Sequence, residues 1–403
     1  MEANKSFSLL VIGAGMYVAG RGTAGFGTIL PAVFDWIKKS SHLDVRVSCA
    51  ATSINSINEF SKKAEALSLL TGVSVNISTY PTKEVVDINS YKEALLNIEQ
   101  PAAAIIVVPD HLHHQITMDC LNAGLHTLVV KPLAPSLREC LDLVEVAKKK
   151  ELYGMVEFHK RWDKSNLILK NKIHSQALGD LLYCHVEYSQ RKSIPTSFFK
   201  SWASKTNILQ YLGIHYIDLV RYLTNAMPIR VLAIGQKSYL TMHDIDTYDS
   251  IQCLIEWRLP NKKIFNQTIL ANWIDPETSS AMSNQTIKFI GTKGRYEADQ
   301  KNRGITLNID GDNLEHINPD FCMPIKQPDG LLQWQGYGVE SIHTFLNDVM
   351  ALKNSDTSLS ALSNTRPTFK ESLVSAAVID AANLSLDQNG SWHPVSLDES
   401  QVI

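Results

Sequence analysis

The stretch His126-Thr127-Leu128-Val129-Val130-Lys131-Pro132-Leu133-Ala134-Pro135 decides how this chain is read. Leu128, Val129 and Val130 form an apolar, β-branched run of the kind that fills a buried strand. Proline has no amide hydrogen and pushes the residue before it out of the helical region, so Pro132 ends the ladder at once. The strand therefore delivers a single long cation, Lys131, at its carboxyl edge. In an open parallel sheet that edge is where ligands gather.

Working back towards the start, Ser6 to Ile12 is a second short β-type run, and it feeds straight into Gly13-Ala14-Gly15. Glycines after a first strand permit a tight turn and let backbone amides approach a pyrophosphate. The third position of that fingerprint is Val18 instead of a small residue. Gly20, Gly22, Gly25 and Gly27 follow, interleaved with Arg21 and Thr23, before a helical pattern resumes over 28–39. An extended phosphate loop is expected, with the later glycines sharing the cradle. Gly13, Gly15 and Met16 are the candidate contacts to a dinucleotide.

Residues 44–51 read as the next strand. Dinucleotide folds place an acid at the end of this strand for the adenosine ribose, but here it ends Ala51-Thr52-Ser53-Ile54-Asn55. Thr52 and Ser53 become candidate cofactor contacts, and the missing carboxylate leans the choice between NAD and NADP towards NADP. Arg21, Lys62 or Lys63 would then supply positive charge. The bland reading of Ser53 and Asn55 is that they cap the following helix.

Ala102 to Val108 is a continuous apolar strand ending in Pro109-Asp110-His111-Leu112-His113-His114. Asp110 reads as a helix cap, and the histidines have no partner ligands at usable spacing, so no metal site is expected. Ser136 and Glu139 have capping-box spacing ahead of another helix. Strand and helix alternate throughout, which is the pattern of an α/β dinucleotide-binding domain over residues 1–134. Residues 135–403 would form a second, α+β domain for substrate binding and oligomerisation, its last helices packing back on the first.

That second part opens with an apolar run at 152–158, joining the first sheet or crossing over, and a helix capped by Asp163. A strand-like segment begins at Leu181. On the helix expected over 207–223, Tyr211, His215, Asp218 and Tyr222 fall on one face at α-helical spacing. Between 229 and 310 come successive β-type runs without intervening helices, arguing for a mostly antiparallel sheet. Trp257 and Trp273 suggest a face that pairs with another subunit; Arg303 and Lys301 read as solvated. Helices over 338–353 and 369–384 close the chain around a polar linker at 354–365.

Composition excludes several classes. The chain has 403 residues, 44% hydrophobic and 20% charged, with a formal charge of −3. No basic excess marks a nucleic-acid footprint. The longest apolar run, 102–108, is far too short to span a bilayer. Six scattered cysteines without a CxxC pair fit free thiols in the cytoplasm.

Taken together, Gly13-Ala14-Gly15, Val108-Pro109-Asp110-His111-Leu112-His113, Ala123-Gly124-Leu125-His126, Val130-Lys131-Pro132-Leu133-Ala134 and Gly213-Ile214-His215-Tyr216-Ile217-Asp218 resemble the Gfo/Idh/MocA oxidoreductases. The likeness continues through Phe158-His159-Lys160-Arg161, Ala177-Leu178-Gly179-Asp180 and Ile290-Gly291-Thr292-Lys293-Gly294. It implies a Rossmann domain holding NAD or NADP and a second domain with a large open sheet. It also implies a small sugar, sugar-derivative or cyclitol substrate, and a homodimer or homotetramer built through that sheet. By resemblance, Lys131 is the active-site lysine and His215 the catalytic histidine. Pro109 and His113 line the nicotinamide side, and Arg161 and Asp218 are substrate contacts.

Two departures from the family pattern bear on chemistry. The residue before the lysine is usually an acid and is Val130 here. The position four before the histidine is often Asp and is Tyr211, which becomes the relay candidate. The expectation is an NAD(P)-dependent oxidoreductase acting on a CH–OH group; the rivals are a non-catalytic dinucleotide-sensing regulator on the same fold and an enzyme that uses a tightly held cofactor in ping-pong fashion.

Overall fold

A computed structural model describes residues 6–84 and 86–397. The chain divides into two units, the first comprising Met1–Leu133, Leu141–Trp162 and Asp320–Glu371, the second Ala134–Cys140, Asp163–Pro319 and Ser372–Ile403. The first segment of the first unit ends at Leu133, and the chain returns to that unit twice more.

The first unit is built on β1 (Ser6–Ile12), β2 (Asp44–Ala50), β3 (Asn76–Tyr80), β4 (Ala102–Ile106), β5 (His126–Val130) and β6 (Gly154–Glu157). All pair in parallel, in the order β3-β2-β1-β4-β5-β6. The helices of this α/β layer are α1 (Met16–Ala19), α2 (Ile29–Lys39), α3 (Ile54–Thr71), α4 (Ser90–Asn97), α5 (His113–Asn122) and α6 (Leu137–Lys149). The apolar run at 152–158 becomes β6, the sheet's edge strand. Ser136 caps α6 as the capping box predicts: Ser136 N–H donates to Glu139 Oε2 at 3.1 Å, and Glu139 N–H donates back to Ser136 Oγ at 3.3 Å.

The main segment of the second unit, from Asp163, opens with α7 (Lys164–His174), whose cap is Asp163, followed by β7 (Leu181–Arg191) and α8 (Ile214–Thr224). Then come β8 (Met227–Gln236), β9 (Ser250–Arg258), β10 (Ile264–Asp275), β11 (Ser283–Gly291) and β12 (Arg295–Asp299), with short β13 (Thr306–Leu307) and β14 (Glu315–His316). The chain re-enters the first unit as β15 (Met323–Lys326), β16 (Leu332–Gln335), α9 (Tyr337–Lys353) and α10 (Leu359–Ser363). It ends through α11 (Phe369–Asp387) and β17 (His393–Pro394). The large sheet has the order β12-β11-β7-β10-β9-β8-β17 and is antiparallel except for the β7–β10 pair. Glycines at 291 and 294 close the β11–β12 hairpin, Gly291 N–H donating to Gly294 C=O at 2.9 Å.

The core of the first unit explains its discontinuity. Phe7, Leu9 and Val11 of β1 and Val33, Phe34 and Trp36 of α2 share one buried cluster with Ile342, Phe345, Leu346 and Val349 of α9. These apolar residues recur at 3.6-residue spacing, so a helix near the end of the chain covers the sheet's first strand.

Four expectations are corrected. The linker at 354–365 contains α10, which Ser358 caps by accepting from Ala361 N–H at 3.2 Å. The strand over 305–309 shrinks to two residues of β13. Trp257 and Trp273 do not face outwards: both are fully buried, their indole N–H groups donating to Gln267 and Gln190. The open face carries half-exposed Tyr183, Ile234 and Ile264 instead. Arg303 is not solvated either; its guanidinium grips the fully buried Asp163 through two nitrogens, at 2.5 and 3.2 Å. Sequence spacing cannot show that pairing because 140 positions separate the partners.

A carboxylate buried with its guanidinium partner is costly to strand. Arg303→Leu is expected to destabilise the second unit by about 3 kcal/mol, read as a lower urea midpoint. The double variant Arg303→Leu/Asp163→Leu should recover part of that loss.

Candidate active site

Lys131 follows the last residue of β5, an interior strand with β4 on one side and β6 on the other. It is 8% exposed, and burial lowers its amine to about 8 against the opposing pull of Asp110 and Glu157. Both carboxylates are themselves buried. Asp110 opens a single 3₁₀ turn, Asp110–Leu112, after β4. It therefore does not cap α5, which starts at His113 behind Leu112. Glu157 ends β6, and in the β5–β6 register it lies opposite Val130. The acid absent from position 130 thus has a counterpart on the neighbouring strand.

Glu157 is also the centre of a hydrogen-bond cluster. Its carboxylate accepts from Ser341 Oγ at 2.8 Å and from Tyr17 Oη at 3.2 Å, while His159 Nδ1 lies 3.0 Å away. His159 in turn stacks on Tyr337. No family segment quoted above includes Glu157 or Tyr17. The signal in the sequence was a lone acid inside the apolar run at 152–158, which a strand tolerates only when the charge is answered.

His113 sits between two carbonyl oxygens, Nδ1 2.5 Å from Pro132 C=O and Nε2 2.9 Å from Val108 C=O. The neutral ring carries one N–H, so it donates to one of these carbonyls and packs against the other, filling the space between the segments just after β5 and β4, with Pro109 next to one of them.

The glycine turn is specified sterically. Gly13 has φ of +113°, and a Cβ there would stand 2.0 Å from Val107 C=O. Its N–H donates to Ala50 C=O at 2.8 Å. Gly15 is exposed, with clear space where its Cβ would be, and Met16 begins α1 immediately behind it. An open backbone turn beyond β1 fits the approach of a dinucleotide phosphate.

Two of the later glycines, Gly20 and Gly27, have positive φ and close the loop on itself: a Cβ at Gly20 would meet Gly25 C=O, and one at Gly27 would meet Met16 C=O. Lys63 Nζ holds the loop by donating to the carbonyls of Gly25 at 2.7 Å and Thr23 at 3.0 Å. Arg21 pairs with Glu59 at 3.4 Å. Both cations are thus occupied with the loop. At the end of β2, Ser53 caps α3, accepting from Ser56 N–H at 3.3 Å, whereas Thr52 is exposed. Arg161 is buried and lies 3.9 Å from Glu371.

In the second unit, His215 and Asp218 are each 3% exposed and lie on α8. Tyr211 lies one turn before them, in a π-helical turn, Leu209–Gly213, that leads into α8. It packs among Phe199, Trp202 and Trp273, with ring centroids at 5.3, 5.9 and 5.4 Å. Tyr222 takes Lys170 over its ring at 3.5 Å. His215 lies beside Tyr188, their rings 6.3 Å apart.

Family profiles match two segments of the chain. One, described as an oxidoreductase family with an NAD-binding Rossmann fold, covers residues 37–158; the other, the C-terminal domain of the same family, covers 167–297. The chain belongs to the Gfo/Idh/MocA family. Its first unit is the family's NAD-binding Rossmann domain. A curated relative is the scyllo-inositol 2-dehydrogenase (NADP(+)) of Bacillus subtilis, 30% identical over 38% of this chain and 42% of that protein. Another is the 2,7-anhydro-N-acetylneuraminate hydratase of Mediterraneibacter gnavus, 23% identical over 56% of this chain and 58% of that one. The chain thus matches about half the length of these relatives. Among solved structures, scyllo-inositol dehydrogenase from Lactobacillus casei, with bound NAD(H) and scyllo-inositol, aligns at TM-score 0.67. That alignment has 15% identity and covers 98% of this chain and 100% of that one. An inositol dehydrogenase homolog from Azotobacter vinelandii aligns at 0.70, also with 15% identity, over 97% and 98%. Both likenesses establish the fold of this Gfo/Idh/MocA member. Among the described residues, no group of three or more His, Cys, Asp or Glu side chains is placed to hold a metal, and no helix is long and apolar enough to cross a membrane.

Burial holds the imidazoles of His113 and His126 below their ordinary value of 6.5. His126 Nδ1 accepts from Tyr153 N–H at 2.9 Å, which requires that nitrogen to be unprotonated. Below pH ~6.5 the unfolded chain takes up protons that these folded sites resist. Their contribution is therefore complete above that pH and lost as pH falls below it. The urea midpoint should be lower at pH 5.5 than at 7.5, and His126→Asn, which keeps an acceptor, should narrow that difference.

Proposed function

We propose that this chain is an NAD(P)-dependent dehydrogenase or reductase acting on a hydroxyl or ketone carbon of a sugar, sugar derivative or cyclitol. The observation that carries this reading is Lys131, a buried ammonium at the carboxyl edge of an interior strand of the NAD-binding Rossmann unit. A positive charge that a fold retains there in spite of its desolvation is suited to a reaction that develops negative charge on oxygen. The inositol dehydrogenases among the relatives support a cyclitol substrate.

A bound nicotinamide would supply or accept the hydride. Gly13, Gly15 and Met16 would hold its pyrophosphate, Thr52 and Ser53 the adenosine ribose, and Pro109 and His113 would shape the nicotinamide side. His215 is assigned the substrate's proton, as general base in oxidation and general acid in reduction, because imidazole titrates near working pH. Lys131 would donate to the reacting oxygen. Tyr211 is assigned a relay or contact role, Arg161 and Asp218 substrate contacts.

The neutral end of β2 leans the cofactor choice towards NADP. The half-exposed apolar residues on the open face of the large sheet support a homodimer or homotetramer through that face. Six free thiols fit a reducing, cytoplasmic setting.

The test is a screen of cyclitols and sugars that follows reduced-nicotinamide absorbance. Lys131→Met should lower kcat by about 10²–10³ while fluorescence titration shows the nucleotide still bound. His215→Asn should lower kcat by about 10²–10⁴. With the ammonium as the working form, turnover falls as pH rises through about 8. Nucleotide binding without turnover on any candidate would favour the regulatory reading.

A further inference from the structure

We propose that Phe199, Trp202 and Tyr211 form an aromatic platform on which the substrate stacks, so that the site selects a saturated six-membered polyol ring over an open-chain polyol. This deepens the reading above and rests on it, with His215 as the group that handles the substrate's proton.

Three observations carry it. Each of the three rings touches the other two: Phe199 and Trp202 at 4.7 Å between centroids, Phe199 and Tyr211 at 5.3 Å, Trp202 and Tyr211 at 5.9 Å. Trp273 of β10 backs Tyr211 at 5.4 Å and is sealed, its indole N–H donating to Gln190 at 3.1 Å. Phe199, Trp202 and Tyr211 instead each keep part of their surface open. The backbone that presents them is unusual as well. Two π-helical turns lie in this short stretch, Ile194–Phe198 leading directly into Phe199 and Leu209–Gly213 carrying Tyr211. Such turns are rare and gather at functional sites. Finally, the turn that carries Tyr211 runs straight into α8, so Tyr211 lies one turn before His215.

Three adjoining aromatic rings kept partly in water form an apolar patch of the kind that marks a ligand site. The face of an aromatic ring is electron-rich and attracts the positive end of C–H bonds. A six-membered ring with equatorial hydroxyls turns its C–H groups to its two faces and its hydroxyls to its rim. Laid on the platform, such a ring covers the open aromatic surface and leaves its rim hydroxyls for His215. An open-chain polyol has no rigid face to offer and loses internal rotations when it is held flat. The phenol oxygen of Tyr211 is not needed for stacking, so the platform survives its removal.

The experiment is calorimetric titration of full-length protein saturated with reduced dinucleotide, which cannot oxidise the added polyols. The probes are scyllo-inositol, myo-inositol and D-glucose, with sorbitol as the open chain. Wild type is expected to bind at least one of the rings more tightly than sorbitol. Trp202→Ala should raise the Kd of that ring about tenfold while leaving sorbitol unchanged, and Trp202→Phe and Tyr211→Phe should stay within about threefold of wild type. In turnover, KM for the ring should rise with Kd while kcat stays within about threefold. A ring Kd unmoved in folded Trp202→Ala overturns the proposal, as does a wild-type protein that binds none of the three rings. Should Trp202→Ala fail to fold, Trp202→Leu decides, because it refills the volume without an aromatic face; wild-type affinity there overturns the stacking. Turnover of a ring polyol with KM unmoved by Trp202→Ala removes the platform and leaves the dehydrogenase reading. Ring binding that Trp202→Ala weakens, without turnover in wild type, keeps the platform and removes the dehydrogenase reading.

Discussion

An ammonium taken out of water must be answered by negative charge or lose its proton, and that constraint organises the first unit around Lys131. Pro132 stops β5 and leaves the lysine at the strand's end. The answer comes from Asp110 after β4 and Glu157 at the end of β6, the strands flanking β5. The His113 ring sits between two of these carboxyl ends, its one N–H donating to the carbonyl of Val108 or of Pro132. Burial still wins by enough to bring the amine into the range where an enzyme can use either protonation state.

The same economy of polar groups appears in the second unit. Asp163, Arg303, Gln300, Asn166 and Tyr216 form buried hydrogen bonds that join α7, α8 and the segment after β12. Each of these groups satisfies another. His215 and Asp218 lie on the helix that this network braces. In the π-turn before α8, Tyr211 joins an aromatic group with Trp273.

Much of this was legible from residue types. Gly13 and Gly15 after a strand, the Lys131-Pro132 break, the Ser136–Glu139 capping box and the strand-rich stretch after 229 each carry a local physical signature. What was hidden depends on partners distant in the chain. Nothing near Gly20 or Gly27 says that their backbones fold on each other, or that Lys63 holds the loop from a helix beyond β2. Arg303 looks like any surface cation until Asp163 is beside it. Side-chain spacing alone does not announce the π-turn that carries Tyr211 into α8. Glu157 gives no local sign of its partners Tyr17 and Ser341, which lie 140 and 184 positions away.

The first unit's core includes α9, which the ribosome makes only after six of the large sheet's seven strands. An emerging chain therefore carries β1 and α2 with one apolar flank open while residues 163–319 of the second unit are made. The Rossmann portion cannot be finished in order; it is closed last, by a segment from near the carboxyl end. A fragment cut at the apparent boundary after residue 134 would keep its glycine turn and Lys131 but lose β6, Glu157 and the helix that shields its centre. Grafting this nucleotide-binding portion onto another protein would thus require carrying all three of its separated pieces.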